Sequence, residues 1–581
     1  MTPAFFIQLI ITVFSYMILA LSFLGMGWFC SRTLKISFFS ESGVFSLVWL
    51  GWATTLFLLQ ILNLFFPINV FSSLLILIFG LFSASRFFRM ELKNVTIYAL
   101  PRNYLLLLTV AILWVASLAM LTPTAYDSGL YHFNSIRWLN ESPIVLGLGN
   151  LHGRLAFNLS FFAYVAYLNL YPLFNHGHNI ANSFLLLTLS AECLLYLSKY
   201  VTSKDHSANF SISNVVAIFF VPVMIYLAAY SQISSPTPDT ASAILQILIF
   251  IYFLRALDEK TSTSNSFSQI MFILIMSATA ITIKLSNLFY VLSICTILLL
   301  VKWKSLDISR KQISLTIIRL VKLPTLIILV WSLRGVLLSG CLAYPLTLGC
   351  MNVRWAVPIE SVKEEADWVY SWARLPRQSP DIVLNSWDWL KPWLYRMMWG
   401  NPLTVVYPFY IFAAITVASL LLYIRQPPPQ RINGNWLLVP IPVLIGLFFW
   451  FWLAPDPRFA HALFWILPIT ATIVLFKVLD ASGKLGNKII ITMFFLINAN
   501  IGLILIQYPR ELTKFSAEGY MPIPVVNLAE MTTLSGYKVL SPTVGDRCWD
   551  SKIPCTPNFN DQLNFIDKNV FPEFTIAGTK K

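Results

Sequence analysis

Long apolar segments recur along the whole chain, and they limit the folds that the sequence can adopt. A segment of about 20 apolar residues crosses a bilayer as one helix, and we count about fourteen such segments. They lie at 4–29, 43–63, 68–84, 103–121, 179–198, 213–230, 240–257, 268–284, 286–301, 323–340, 402–424, 436–454, 459–476 and 489–507. Because 57% of the residues are hydrophobic and only 11% are charged, a soluble fold would expose too much apolar surface. The sequence therefore predicts an all-α polytopic membrane protein that lies in the lipid bilayer.

Lysine and arginine residues near the ends of these segments indicate the orientation of the chain. They fall in alternate loops, as at 86–102 and 302–322, and loops rich in these residues stay in the cytoplasm. Both termini and the long segments 122–178, 341–401 and 508–581 are therefore predicted on the other side of a bacterial inner or plasma membrane. The same helix-end residues account for the net charge of +14, so we predict no nucleic-acid partner.

The alternation of membrane segments and long outer segments divides the chain into predicted units. They are the N-terminal membrane helices at 1–102, a central membrane module at 103–340, a tryptophan-rich outer loop or lid at 341–401, the C-terminal membrane helices at 402–507, and a small outer α+β unit at 508–581. Residues 155–174 are amphipathic and aromatic, and Pro172 ends them. We predict short interfacial helices there.

The cysteines fall into two groups that agree with this topology. Three of them lie in or beside apolar segments, where a thiol most often packs. The others form two close pairs in the outer segments, Cys341 with Cys350 and Cys548 with Cys555. Close pairs on the outer side of a membrane favour two disulfides over a metal site, which would need a CxxC arrangement. The His-Gly-His sequence at 176–178 lacks a third ligand at a suitable spacing, so we predict no metal site there.

The first long outer segment, 122–178, concentrates the side chains most suited to chemistry. Asp127 follows the fourth apolar segment closely, and Gly129 allows tight backbone geometry that would point the carboxylate toward the membrane. A carboxylate at this place can deprotonate an acceptor hydroxyl or amine, or ligate a divalent cation. The alternative is that Asp127 caps a helix at 128–140. The candidate substrate-binding residues of this segment are Tyr126, Tyr131, His132, Arg137, Asn150, His152 and Arg154.

A second carboxylate, Asp239, lies at the outer end of the seventh apolar segment. It is a candidate catalytic residue beside Asp127, because it faces the same compartment. The alternative is that it caps a helix beginning at Thr240. The two interpretations are compatible if the capping carboxylate also faces a cavity at the level of the membrane.

Several cations lie at membrane depth in the outer half of the predicted bilayer. Charges at such depth usually face a cavity or a partner, so Lys284 and Arg334 are expected to neutralise a phosphate or pyrophosphate on a lipid-borne substrate. The alternative is that they extend to the outer headgroups. Glu192, within the fifth segment, is expected to pair with one of the two.

The outer turn between the twelfth and thirteenth segments contains Asp456 and Arg458, and prolines on both sides of Asp456 stiffen it. A bidentate hold of Arg458 on phosphate and an internal pair with Asp456 both fit this turn. We find no P-loop, no GxSxG and no GxGxxG before a helix in a soluble βαβ unit. ATP-driven transport and α/β-hydrolase chemistry therefore have no support.

These features resemble the glycosyltransferase C (GT-C) superfamily of multi-span enzymes, which use polyprenyl-phosphate-linked sugar donors outside the cytoplasm. The likeness rests on an outer Asp just after a span, Asp127, on expected interfacial helices after it, on a second outer Asp, Asp239, and on seven spans at 103–340 before a large outer segment. An outer C-terminal unit completes it. The chain departs from the superfamily where Ser128 follows Asp127 instead of a second acid, and where three spans precede the module. The sequences YDSGLYH, GLGNLHGRLAFN and CWDSKIPCTPNFN also look like those of a bacterial membrane-protein family placed near this superfamily.

The resemblance implies a GT-C-like catalytic module at 103–340 and a role for Asp127 as catalytic base or metal-associated acid. It implies Lys284, Arg334 or Arg458 as contacts for the donor phosphate. The expected partners are a polyprenyl-phosphate-linked sugar donor and an acceptor outside the cytoplasm, which would be a glycan, a lipid or a protein. Whether the reaction uses a divalent cation as a cofactor stays open.

Two other classes of protein compete with this hypothesis. A transporter or flippase of a lipid-linked or polar solute would also place charges at membrane depth, but it would need polar residues reachable from both faces. A membrane assembly factor would need no cavity, and its charged residues would be individually replaceable. The crowding of polar residues on the outer side favours the glycosyltransferase.

Overall fold

The structure is a computed structural model of the chain, and it describes residues 2–36, 43–91, 100–202, 211–230, 232–258, 263–302, 313–425, 434–479, 514, 516, 518–566 and 572–576. Helices dominate these residues. They are α1 (Pro3–Leu34), α2 (Gly43–Leu62), α3 (Val70–Glu91), α4 (Arg102–Ala119), α5 (Phe133–Glu141), α6 (Phe161–Leu168), α7 (Gly177–Thr202), α8 (Ile212–Tyr230), α9 (Pro238–Asp258), α10 (Thr263–Ile283), α11 (Leu288–Lys302), α12 (Ile313–Ser339), α13 (Ile359–Arg374), α14 (Pro380–Leu384), α15 (Leu390–Tyr395), α16 (Tyr407–Arg425), α17 (Ile441–Leu453) and α18 (Pro457–Leu479). Four strands follow, β1 (Leu528–Thr532), β2 (Lys538–Pro542), β3 (Leu563–Ile566) and β4 (Glu573–Ile576).

Twelve helical stretches among the described residues are long and apolar enough to cross a membrane. They correspond to the first twelve predicted segments, so the chain is a multi-pass membrane protein. The thirteenth segment, 459–476, forms α18, which is kinked at Ala460 and has a shorter apolar stretch at Ala462–Leu475. The fourteenth, 489–507, lies outside the described residues.

The first three spans pack closely because glycines line their contacts. A Cβ atom on Gly27 would lie 1.8 Å from the carbonyl oxygen of Leu47, and one on Gly51 would lie 1.8 Å from that of Phe23. Such distances are far below van der Waals contact, so no larger residue fits without a shift of the backbone. Small residues let membrane helices approach each other in this way.

The central spans surround α9, whose apolar residues are almost all buried. Glu192 of α7 lies in this core and accepts a hydrogen bond of 2.6 Å from Nη1 of Arg255 in α9. The expectation that Glu192 pairs with Lys284 or Arg334 was therefore wrong. Arg255 lies near the C-terminal end of α9, whereas Lys284 pairs with Asp239 at the N-terminal end of the same helix. Pairing keeps a carboxylate from being buried alone, which would be costly.

The segment after α4, which is predicted to lie outside the cytoplasm, folds into short helices that lie within the protein. All eight residues of α6 are buried, so the prediction of interfacial helices at 155–174 was wrong for this helix. Its sequence, FFAYVAYL, is apolar on every side, and a helix of that kind is buried rather than laid along a membrane surface.

The tryptophan-rich segment after α12 contains α13, α14 and α15. The predicted disulfide Cys341–Cys350 closes the loop at its start. After α15 the chain passes through two π-helical turns, Arg396–Gly400 and Pro402–Val406, into α16.

The C-terminal unit contains two small antiparallel sheets, β1 with β2 and β3 with β4. The predicted disulfide Cys548–Cys555 joins the loop between them, so both predicted disulfides are confirmed. The described residues of this unit form strands and turns, so the predicted α component does not appear among them. Backbone hydrogen bonds attach the unit to the first outer segment, from Trp549 to Gly129 at 2.8 Å and from Phe574 to Leu146 at 2.9 Å.

Candidate functional site

Asp127 stands at the start of a π-helical turn, Ser128–His132, that leads into α5. Its side chain makes no capping hydrogen bond, so the capping alternative is excluded. The carboxylate lies between two guanidinium groups instead. Nη1 of Arg458 donates to Oδ2 at 3.2 Å, and Nη1 of Arg154 is 3.7 Å from Oδ1. Single π-helical turns occur often at functional sites.

Arg154 belongs to the 3₁₀ helix Gly153–Phe157 and is held from a second side by α13. Its Nε donates to Oε1 of Glu365 at 3.1 Å. Gly153 makes this approach possible, because a Cβ there would lie 2.8 Å from the hydroxyl of Tyr344 and 3.0 Å from Oε2 of Glu365. Burial raises the pKa of Glu365, although Arg154 acts in the opposite direction.

Arg458 is fixed by the turn that precedes α18. Its Nε donates to Oδ1 of Asp456 at 3.2 Å, and its backbone N–H donates to the same atom at 3.0 Å. The indoles of Trp450 and Trp393 donate to the carbonyls of Asp456 and Pro455 at 2.7 and 2.8 Å. The guanidinium of Arg458 therefore bridges Asp456 and Asp127.

Asp239 lies in the first turn of α9, one residue after the helix begins. The hydroxyl of Thr237 accepts from the backbone N–H of Asp239 at 3.3 Å, so the capping contact at this N–H comes from Thr237. The carboxylate of Asp239 accepts a hydrogen bond from Lys284. The ammonium of Lys284 also lies 3.9 Å from the ring centre of Phe459, which brings α9, the end of α10 and α18 together.

The site therefore combines three cations with four carboxylates, a group that we name the charged cluster. Its members are Asp127, Arg154, Asp239, Lys284, Glu365, Asp456 and Arg458. Tyr131 and His132 are buried beside it. The Arg154 guanidinium lies 6.0 Å from the ring centre of Tyr131, and Nδ1 of His132 is 3.1 Å from Oγ of Ser128. Burial lowers the pKa of His132 to about 4, so its imidazole is neutral at pH 7.

Three other predicted residues tie the first outer segment to neighbouring parts of the chain. Arg137 donates to Glu141 at 2.8 Å and to the carbonyl of Asp550 at 2.9 Å. The side-chain amide of Asn150 donates to the carbonyls of Trp355 and Phe574 at 3.0 and 3.2 Å. Tyr126 donates to Asp546. These contacts indicate that Arg137, Asn150 and Tyr126 stabilise the fold around the charged cluster.

Arg334 and His152 are buried close to Arg154. Arg334 donates to the carbonyl of Gln60 at 3.2 Å and to Oδ1 of Asn63 at 3.1 Å, and it lines a cavity of about 40 Å³ that Arg154 also borders. Nδ1 of His152 accepts from the backbone N–H of Arg154 at 3.4 Å. Burial lowers the pKa of His152 to about 3, so it too is neutral.

Sequence reasoning missed Glu365 and Phe459. Glu365 lies in the sequence KEEAD on an amphipathic outer helix, and nothing in that pattern separates it from solvent-exposed neighbours. Among the described residues, no group of three or more His, Cys, Asp or Glu side chains is arranged to hold a metal ion. His176 stacks on Tyr520 with ring centres 4.2 Å apart, and His178 packs against Phe133 at 5.1 Å.

Comparisons with known proteins identify a family. The family model described as Domain of unknown function (DUF8201) matches residues 9–465, a range that contains every residue of the charged cluster. No curated protein and no solved structure matches the chain.

Proposed function

We propose that this chain, which belongs to the family described as Domain of unknown function (DUF8201), is a membrane glycosyltransferase. It would move a sugar from a polyprenyl-phosphate donor to an acceptor outside the cytoplasm, which would be a glycan, a lipid or a protein. The observation that carries this proposal is a carboxylate, Asp127, held between the guanidinium groups of Arg458 and Arg154 at one end of the apolar helices.

The cations of the charged cluster support a phosphate-bearing substrate. Arg154, Lys284 and Arg458 come from three separate parts of the chain and meet at the ends of spans, where the headgroup of a lipid would lie. Guanidinium groups bind phosphate with paired hydrogen bonds. A donor phosphate that draws Arg458 and Arg154 toward itself would free the carboxylate of Asp127 to accept a proton. In this scheme the donor therefore binds before Asp127 acts as the base.

In the proposed reaction Asp127 is the general base. The acceptor hydroxyl or amine attacks the anomeric carbon, and its proton passes to the carboxylate of Asp127. The bond from the anomeric carbon to the phosphate oxygen breaks, and its electron pair leaves with the lipid phosphate. Arg154, Lys284 and Arg458 stabilise the negative charge that develops there. A single displacement of this kind inverts the anomeric centre.

Asp239 and His132 have supporting roles in this scheme. Asp239 holds Lys284 in place through its carboxylate. His132 is neutral at pH 7, because burial lowers its pKa to about 4, so it adds no further positive charge beside Asp127.

The test compares purified wild type with Asp127→Asn on a panel of polyprenyl-phosphate sugars, with and without Mg²⁺ or Mn²⁺. Sugar release and transfer are measured by mass spectrometry of the lipid and the product. The matched control is Asp381→Asn, which removes an exposed carboxylate from α14. We expect turnover in wild type and in Asp381→Asn, and a loss of at least roughly a hundredfold in Asp127→Asn, as for removal of a general base.

A variant Asp127→Asn that keeps pace with wild type would show that Asp127 is not the base. A requirement for Mg²⁺ or Mn²⁺ in wild type would favour a metal-associated carboxylate over direct proton transfer. Movement of intact donor across a vesicle membrane without sugar release would identify a flippase instead.

A further inference from the structure

An open cavity of about 260 Å³ lies in the tryptophan-rich segment, between the α14–α15 connection and the outer end of α17. We name it the aromatic cleft. Its main lining residues are Arg374, Asn385, Ser386, Trp387, Trp389 and Trp452. None of the contacts that form the charged cluster involves them.

We propose that the aromatic cleft binds a short neutral saccharide. A pyranose ring has an apolar face of C–H groups and a rim of hydroxyls. Aromatic rings suit the face, because their electron-rich surfaces attract the slightly positive C–H groups. Amide, hydroxyl and guanidinium groups suit the rim, since they supply both donors and acceptors.

The tryptophans of the cleft are arranged around the cavity. Trp387 and Trp389 are stacked, with ring centres 5.6 Å apart and an angle of 25° between their planes. Trp452 approaches Trp387 from α17 at 6.3 Å. Trp387 and Trp452 remain 58% and 56% exposed, so each still presents a large ring surface. Tryptophans that only anchor a protein to a membrane interface need no such cavity between them.

The polar groups of the cleft are held in place by the fold. Arg374 donates to the carbonyls of Trp452 and Leu453 at 2.7 and 3.0 Å, and its guanidinium lies 5.2 Å from the ring centre of Trp389. Asn385 donates to the carbonyl of Asp381 at 2.9 Å. A rigid rim of this kind lowers the entropy cost of binding.

Size and charge restrict the ligand. Small-molecule pockets usually measure roughly 300–1,000 Å³, and the cleft, at about 260 Å³, is slightly smaller. Its size therefore suits a small ligand such as a short saccharide. One cation, Arg374, lines it, and its guanidinium is engaged with backbone carbonyls and Trp389. These features favour a neutral saccharide over a polyanionic one.

A row of tryptophans connects the cleft to the charged cluster. Trp389 contacts Trp393, and Trp393 contacts Trp450, with ring centres 6.2 and 6.0 Å apart. Trp393 and Trp450 donate to the turn at 455–456 that precedes Arg458. The cleft is therefore linked to the site of transfer through packed tryptophan rings and their hydrogen bonds. The assignment of the bound saccharide as the acceptor rests on the proposed function, whereas the binding itself does not.

The test titrates the full chain in phosphatidylcholine nanodiscs with chitotriose, cellotriose and maltotriose, without any donor. Binding is followed by intrinsic tryptophan fluorescence and by calorimetry. We expect at least one trisaccharide to bind saturably to wild type, and Trp387→Ala to weaken that binding about tenfold, the upper end for one aromatic contact. Asn385→Ala tests the polar rim and should also weaken it. The matched control Trp399→Ala removes a 70% exposed indole outside the cleft and should leave the affinity unchanged.

Absence of binding by all three trisaccharides would overturn the proposal, and so would equal affinities in wild type, Trp387→Ala and Asn385→Ala. Nanodiscs made with brominated phosphatidylcholine test for a membrane anchor. A smaller quenched fraction in Trp387→Ala than in wild type would place that ring among acyl chains and would also overturn the proposal. Binding that persists in Asp127→Asn, whatever the outcome of the transfer assay, separates this inference from the proposed function.

Discussion

His132 is a buried imidazole on which opposing effects act. Burial lowers its pKa to about 4 and is the largest effect, while Asp127 and Asp239 raise the pKa and Lys284 and Arg458 lower it. The folded protein therefore keeps His132 neutral at pH values where the unfolded chain, with a pKa of 6.5, takes up a proton. Folding stability is lost as the pH falls below about 6.5, and the loss is complete near pH 4.

Replacing His132 by Gln should make the protein less sensitive to mild acid. We expect wild type to lose about 2 kcal/mol more unfolding free energy than His132→Gln between pH 7.5 and pH 5. The measurement is chemical unfolding in detergent at both pH values. Equal losses in the two proteins would mean that His132 takes up its proton in the folded protein at the same pH as in the unfolded chain.

At the scale of single residues, the sequence identified side chains of the candidate site more reliably than it identified the partners of those side chains. Asp127 and Asp239 were both open to interpretation as helix caps. In the structure both carboxylates pair with cations instead, Asp127 with Arg458 and Asp239 with Lys284. The backbone N–H of Asp239 donates to the hydroxyl of Thr237. Propensities describe the neighbourhood of a residue along the chain, whereas Arg458 lies 331 residues from Asp127 and Lys284 lies 45 residues from Asp239.

At the scale of elements, hydropathy predicted the spans because a bilayer sets their length and composition directly. It failed for α6, which was expected along the membrane surface and is enclosed by protein. Both places favour apolar and aromatic residues, so composition did not separate them. The close contact of α1 with α2 was not predicted either, since it depends on which faces carry Gly27 and Gly51.

A methyl group at Gly51 should force α1 and α2 apart, because its Cβ would lie 1.8 Å from the carbonyl oxygen of Phe23. We expect Gly51→Ala to cost about 1–3 kcal/mol of stability, as other overpacked sites do. The measurement is the thermal melting temperature in detergent. Gly400→Ala is the matched control, since a Cβ there would lie 3.8 Å from Cγ of Arg396, an ordinary van der Waals contact. Equal melting temperatures for the two variants would contradict the packing argument.

At the scale of the whole molecule, the candidate site is a product of long-range folding. Arg154 meets Glu365 across 211 residues, and Arg458 meets Asp127 across 331. Most of these residues could be predicted individually from the sequence, since charged residues beside apolar segments are easy to recognise. Their convergence on one end of the bundle depends on how α9, α10, α13 and α18 pack, which no local pattern encodes.

The proposed orientation can be checked by labelling introduced cysteines. Met90 and Leu534 are exposed and lie at predicted inner and outer positions. In intact cells, a membrane-impermeant maleimide should label Leu534→Cys, and it should label Met90→Cys only after permeabilisation. The native cysteines give little background, because three are buried and the others form disulfides. The reverse pattern of labelling would place the charged cluster on the cytoplasmic side.

The backbone hydrogen bond from Phe574 to Leu146 can form only late in synthesis. The ribosome makes Leu146 some 430 residues before Phe574, an interval of roughly 20 s or longer at ordinary rates of synthesis. During that interval the backbone groups of Gly129 and Leu146 have yet to meet their later partners. The first outer segment must therefore wait for these partners while the rest of the protein is synthesised and inserted.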